Sequence, residues 1–182
     1  MDEFALIERF FARRVAGRAD IRLGIGDDAA VIRCDPDADL VIATDTIVEG
    51  THFLPGTPAR EIGHRCLAVN LSDLAAMGAE PRWCTLSLTI PDADPNWVDA
   101  FADGFFALAE RYGVALIGGD TVRGPLSATV TVHGLVATGR ALRRGGAPAG
   151  GPIYVRGGAG PAAAGPRAPR KDEPRRAADA VR

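Results

Sequence analysis

Four separated segments of this chain each pivot on an aspartate beside glycines or small residues: Gly26-Asp27-Asp28-Ala29-Ala30, Thr44-Asp45-Thr46, Asn70-Leu71-Ser72-Asp73 and Gly118-Gly119-Asp120-Thr121. A fold that gathers these carboxylates to within ~4–6 Å of one another faces severe repulsion unless cations sit between them. The pattern therefore points to magnesium and phosphate. Each segment also has a plainer reading. An Asp-rich turn, a cap at a strand end, a solvated helix face and a glycine turn would account for them one at a time.

Lysine usage narrows the chemistry. The single lysine, Lys171, lies in an Arg/Pro-rich stretch near the end. No P-loop pattern G-x-x-x-x-G-K-[ST] occurs, and no lysine in the apolar part of the chain is placed to form a Schiff base. Phosphate must be handled by metals, arginines and backbone amides. Arg143 and Arg144 offer guanidinium forks for that purpose, although a solvated pair is the commoner case.

The 182 residues are 47% hydrophobic, enough for a real core, and the formal net charge of −2 gives no reason to expect nucleic acid or an anionic membrane as partner. Residues 143–182 hold nine Arg or Lys against three Asp or Glu, so the tail differs from the acidic remainder. Cys34, Cys66 and Cys84 are odd in number, lack C-x-x-C spacing and lie in apolar surroundings, which predicts buried thiols and no disulfide framework. Met1-Asp2-Glu3-Phe4 carries no basic leader and no long apolar run follows, so a cytoplasmic protein without a membrane span is expected.

Periodicity outlines the elements. Asp2 caps a helix with Phe4, Ile7, Phe10, Phe11 and Val15 on one stripe. Ala29–Ile32 and Leu40–Thr44 read as strands, with a third over Ile47–Phe53. Thr57-Pro58 opens a helix carrying Ile62, Leu67, Leu71 and Leu74, on which Asn70 and Asp73 share a face. Trp83–Ile90 is a strand ended by Pro91. Asp94-Pro95 starts a helix with Trp97, Phe101, Phe105, Leu108 and Tyr112 in register, closed by Gly113, and Tyr112 reads as core. Val114–Ile117 is a short strand delivering Gly118-Gly119-Asp120 to a loop, and Ser127–Thr138 is a long β-branched strand. Helices interleaved with a mixed sheet give α+β. From Gly145 the text turns Gly/Pro/Ala/Arg-rich, with one strand expected at Ile153–Val155 and disorder expected over 160–182.

His52, His64 and His133 have no metal-ligand spacing, and His52 alone lies beside the Asp45 segment.

Taken in order, Gly24-Ile25-Gly26-Asp27-Asp28-Ala29-Ala30, Thr44 to Phe53, Ala68 to Ala79 and Leu116 to Ser127 resemble the N-terminal half of the thiamine-monophosphate kinases, over roughly residues 4–157. These belong to the superfamily of aminoimidazole ribonucleotide synthetase and selenophosphate synthetase. The resemblance implies direct, magnesium-assisted transfer of the γ-phosphoryl of ATP to thiamine monophosphate. It implies that Asp28, Thr44, Asp45, Asp73 and Asp120 bind several Mg²⁺ ions, that Tyr112, Gly119, Asp120 and Arg144 contact ATP, and that His52 touches the thiamine substrate. It further implies a homodimer formed through the sheet.

Residues 1–142 would form the ATP- and Mg-binding domain, 143–159 the start of an incomplete second domain, and 160–182 the tail. Departures are Ala43, where a serine metal contact is usual, and Gly151 and Pro161, where aspartates are usual. The resemblance would lead one to expect a second domain after about residue 157, where the tail instead resembles a frameshifted or miscalled end of a GC-rich gene. Two alternatives remain open: an inactive Mg-nucleotide-binding or dimerisation remnant, and another ATP-using enzyme of the superfamily. Selenophosphate synthesis is disfavoured by the absence of a lysine in the folded region, and a purine-pathway activity by the Asn70–Ala79 and His52 segments. Two phosphates repel, so any such kinase must bridge them with cations and hold them in line.

Overall fold

The computed structural model describes residues 3–14, 17–147 and 149–152. Met1–Arg144 and Gly145–Arg182 are two separate compact units. The strand expected at Ile153–Val155 and the tail expected over 160–182 lie outside the described residues.

Helix α1 spans Glu3–Phe10 and is followed by a 3₁₀ turn at Ala12–Arg14. The first helix of the sequence reading is therefore shorter than expected, and Val15 falls outside the described residues. Arg14 fastens this end of the chain: Nη1 donates to Asp103 Oδ1 at 2.6 Å and Nη2 to Asp99 Oδ1 at 2.8 Å. Both aspartates belong to helix α3, Pro95–Tyr112.

Strands β1 (Ile21–Leu23) and β2 (Val31–Ile32) form a small antiparallel hairpin, whose connection carries Gly26-Asp27-Asp28. The main sheet has the order β3-β6-β4-β5, from β3 (Ala38–Val48), β4 (Glu80–Ile90), β5 (Ala115–Arg123) and β6 (Ser127–Ala137). Strand β6 is antiparallel to both β3 and β4, while β4 and β5 are parallel, as a helical crossover through α3 requires. The mixed α+β architecture is the one that the pattern of the sequence predicts.

Alternation along β6 sorts the faces. Ala128, Val130 and Val132 are buried and pack with Leu86, Leu88 and Cys84 against α2 (Ala59–Ala76) and α3. The opposite face carries Trp83, Ala115 and Ile117 under the β1–β2 hairpin, with Ile21, Ala30 and Ile32 packed on them. It also carries a row of hydroxyls, in which Thr44 Oγ1 donates to Thr131 Oγ1 and Thr46 pairs with Thr129, both at 2.9 Å. Leu40 and Ile42 extend that face into solvent.

The two long helices cross where side chains are absent. A Cβ on Gly63 would meet the carbonyl of Phe101, and one on Gly104 the carbonyl of Arg60. Only hydrogen at both positions lets the backbones come so close. Next to the crossing, Trp97, Phe101 and Phe105 stack in succession along α3, with centroids 5.4 and 6.4 Å apart.

Several boundaries differ from the sequence reading. Ile47–Phe53 is not a strand of its own: β3 runs on to Val48, then Gly50 at φ 79° reverses the chain and buries Phe53. Thr57 does not cap α2. Its hydroxyl donates to the Leu54 carbonyl at 2.7 Å, and Pro58, extended at ψ 134°, occupies the cap. Helix α3 behaves as expected, with Asp94 Oδ1 accepting from the Asn96 amide at 3.0 Å and Gly113 closing it in the left-handed region at φ 65°.

Candidate functional site

The Gly26-Asp27-Asp28 connection and strand β5 face a common cleft of about 380 Å³. Its polar wall consists of Asp27, Asp28, Gly118, Gly119, Asp120 and Thr121, while α1 and its continuation supply an apolar wall of Phe4, Ile7 and Phe11. Ile25, Leu86 and Leu116 complete it.

Local geometry commits one of the acids and leaves two open. Gly26 takes φ 119°, and the turn it permits lets the Asp28 amide donate to Asp27 Oδ1 at 2.8 Å. Asp27 is thereby a turn residue. Among the described residues, the carboxylates of Asp28 and Asp120 have no hydrogen-bonding or ion-pair partner, and both line the cleft. Gly118-Gly119-Asp120 lies inside β5 rather than in a loop. Pairing with β4 carries the strand through both glycines, and Gly119, at φ 153°, lies so tightly on Leu86 that a Cβ would strike the Leu86 carbonyl.

The other residues singled out by the sequence stand elsewhere. Asp45 is in the middle of β3 rather than at a strand end, because the ladder with β6 runs from Ala38 to Val48. Alternation with Ala43 and Ile47 puts it on the helix side of the sheet, where it is exposed. Thr44 is on the opposite face, its hydroxyl bonded to Thr131. Sheet order puts Asp45 on one edge strand and Asp120 on the other, three strand spacings apart, about 14 Å.

On α2, Asn70 and Asp73 part company. Asn70 is fully buried, with Nδ2 donating to the Cys66 carbonyl at 2.9 Å, whereas Asp73 is exposed. The helix turns its apolar stripe into the core between them. His52 sits on the turn after β3 and its Nδ1 accepts the Val48 amide at 3.0 Å, which leaves Nε2 as the ring's donor. Tyr112, read from the sequence as core, is 49% exposed, with the Arg111 guanidinium 5.6 Å from its ring centroid. It caps the far end of α3 and does not line the cleft. Arg144 is exposed. Among the described residues no three His, Cys, Asp or Glu side chains stand close enough together to hold a metal ion.

Hydrogen bonding and burial perturb titrating groups outside the cleft. Hydrogen bonding from Arg18 holds the Asp20 carboxyl below the ordinary aspartate range, with Nη2 to Oδ2 at 2.6 Å. Burial pushes the Cys66 and Cys84 thiols up, so both are inert neutral core groups. Cys34 is exposed, unlike the expectation for it, because it lies outside any strand, between β2, which stops at Ile32, and the turn before β3. Sequence reasoning missed Phe4 as a cleft residue. The periodic stripe of α1 made it one more core position, and only its place at the open end of that stripe hinted otherwise.

The family described as AIR synthase related protein, N-terminal domain, matches residues 26–136. The chain belongs to that family. Within it, thiamine-monophosphate kinase of Escherichia coli K12 is 53% identical over 163 residues, which are 90% of this chain and 50% of that protein. A crystal structure of thiamine-monophosphate kinase from Stenotrophomonas maltophilia K279a is 56% identical, with a TM-score of 0.71, over 79% of this chain and 45% of that one. AaThiL complexed with AMPPCP and TMP is 28% identical, with a TM-score of 0.55, over 58% of this chain and 35% of that one. The chain spans about half the length of the curated relatives it matches. Among the described residues no helix is long and apolar enough to cross a membrane.

Proposed function

We propose that this chain is the nucleotide- and magnesium-binding part of a thiamine-monophosphate kinase, which phosphorylates thiamine monophosphate to thiamine diphosphate at the expense of ATP. The observation that carries the reading is the cleft. Asp28 and Asp120, whose carboxylates have no partner among the described residues, come from segments about ninety residues apart and line one cleft together with Gly118 and Gly119. The identity to named kinases supports the substrate assignment.

The donor set fits Mg²⁺, a hard cation that is usually held by one or two carboxylates together with substrate phosphates. Asp28 and Asp120 would hold it in the cleft. Bound there, the ion would neutralise phosphate charge and help to align donor and acceptor. The chain's own part is to place the phosphates: Gly119 lets β5 lie close on Leu86 and so carry Asp120 to them, and Arg144 would add a cationic fork. His52, through Nε2, would meet the thiamine substrate, and Tyr112 would reach the nucleotide from the end of α3.

Thr44, Asp45 and Asp73 would belong to further metal positions. Because Asp45 and Asp120 occupy opposite edges of one sheet, a centre that uses both requires a second copy of the chain. A homodimer that meets along the β3 edge would supply it, with Leu40 and Ile42, on the face opposite Asp45, as apolar contacts on the same strand. The protein would work in the cytoplasm, without nucleic acid or membrane as a partner.

Titration calorimetry with Mg²⁺ and a non-hydrolysable ATP analogue tests the reading, beside a coupled assay of thiamine diphosphate formation. Asp28→Asn and Asp120→Asn should each weaken Mg-dependent binding at least about tenfold while leaving the fold intact. Nucleotide binding that is indifferent to Mg²⁺ and to both substitutions would overturn it.

A further inference from the structure

The apolar wall of the cleft has an unusual end. Ile7 and Phe11 follow Phe4 at intervals of three and four residues, so the three form one stripe, and the Phe11 amide bonds the Ile7 carbonyl at 3.0 Å. Phe11 is buried and packs on Phe106 of α3, with centroids 6.4 Å apart. Together with the Arg14 ion pairs to Asp99 and Asp103, this anchors the stripe at its inner end. At the outer end Phe4 lines the cleft yet is 82% exposed. An aromatic ring is thus held on an anchored helix, uncovered, across the cleft from two carboxylates that have no partner among the described residues.

A ligand that satisfies both walls needs a flat apolar ring joined to an anion that a cation can bridge to carboxylates. A nucleoside triphosphate has that form. A monophosphate ester has fewer oxygens to share with a cation held by two carboxylates, and it fits the polar wall less fully. Tyr112, set against ATP by the resemblance, lies outside the cleft and faces Arg111, so the ring inside the cleft is Phe4.

We propose that Phe4 is the residue on which the nucleotide base stacks, so that α1 fixes the base while Asp28, Asp120 and their cation fix the phosphates. This rests on the nucleotide-binding reading above. The base would cover the ring face that Phe4 presents to solvent. Phe4 is a positioning residue: it sets where the phosphate chain begins, not the transfer itself.

The test compares two probes on the full chain by calorimetry in Mg²⁺: the ATP analogue AMP-PNP, and tripolyphosphate, which has the phosphates without a base. Phe4→Ala should weaken AMP-PNP about tenfold, the scale of one base–aromatic stack, and leave tripolyphosphate unchanged. Phe4→Trp should restore the nucleotide affinity. Since Phe4 is exposed, an unchanged Tm certifies the fold of each variant. The proposal is overturned if Phe4→Ala binds AMP-PNP as the wild type does, if it loses tripolyphosphate equally, if the tryptophan variant is as weak as the alanine one, or if the loss falls on thiamine monophosphate instead. If the wild type fails to bind tripolyphosphate but Phe4→Ala still weakens AMP-PNP, the phosphate reading falls and the stacking one stands. Failure of the wild type to bind either probe overturns both.

Discussion

At position 119 a hydrogen in place of a methyl decides whether β5 can lie against β4. A Cβ there would strike the Leu86 carbonyl, and φ 153° is a conformation that other residues rarely adopt. Gly119→Ala should therefore cost at least about 2 kcal/mol in urea unfolding, as overpacking and backbone strain add. Nucleotide binding should fall with it, because Asp120 is carried by the same strand. His133 poses a different constraint. It lies on the hairpin side of the sheet, in register with Trp83 and Ile42, with a buried Nδ1 that has no partner among the described residues, and burial lowers its pKa below the ordinary 6.5. The unfolded chain then binds the proton more readily than the folded one. Stability contributed by the neutral ring is complete above the ordinary value and declines as pH falls through it toward the lower folded value. Urea midpoints measured between about pH 5 and pH 7 should rise more steeply for the wild type than for His133→Leu.

Among the elements, the α2–α3 crossing is the point of least tolerance. Gly104→Ala places a methyl on the Arg60 carbonyl, in backbone that cannot swing aside as a side chain would. Thermal unfolding should show a loss exceeding about 2 kcal/mol. A wild-type-like Tm would mean that the helices slide apart freely. This crossing also marks the boundary of what the sequence makes legible. Elements whose signals are local are readable from the residues alone: α3 with Asp94 at one end and Gly113 at the other, or β6 with its alternating Thr and Val. What pairs at a distance is not. Gly118-Gly119 reads as a turn in isolation and becomes strand only because β4 supplies a ladder from some thirty residues upstream. Asp45 looks like the end of a strand until β6 pairs with it from the other side of the domain. Tyr112 keeps perfect helical register with Phe101 and Phe105, yet it lies at the last turn, beyond the sheet that buries the others. Of the candidate site, the acid and glycine segments are legible, and their distribution between two edges of a sheet is not.

For the whole molecule, that distribution has a consequence for assembly. With the strand order β3-β6-β4-β5, Asp45 and Asp120 are held about 14 Å apart by two intervening strands, and no rotation of side chains closes such a gap. If both serve one metal-nucleotide centre, each centre draws Asp45 from one copy and Asp120 from another. The edge strand that carries Asp45 also offers apolar surface: Leu40 and Ile42, on its opposite face away from the helices, are 43% and 56% exposed, where an uncovered apolar surface favours a partner. Sedimentation equilibrium should accordingly find a dimer at micromolar concentration. Asp45→Asn and Asp120→Asn, each purified alone, should lose Mg-dependent nucleotide binding. When the two are mixed and allowed to exchange subunits, half of the dimers become mixed, and in each of these one centre carries both mutations while the other is intact. Binding should return to about a quarter of the wild-type sites. A dimer whose variants fail to complement each other would mean that the two acids serve separate centres within one chain, whereas a clean monomer that binds nucleotide fully would remove the shared centre altogether.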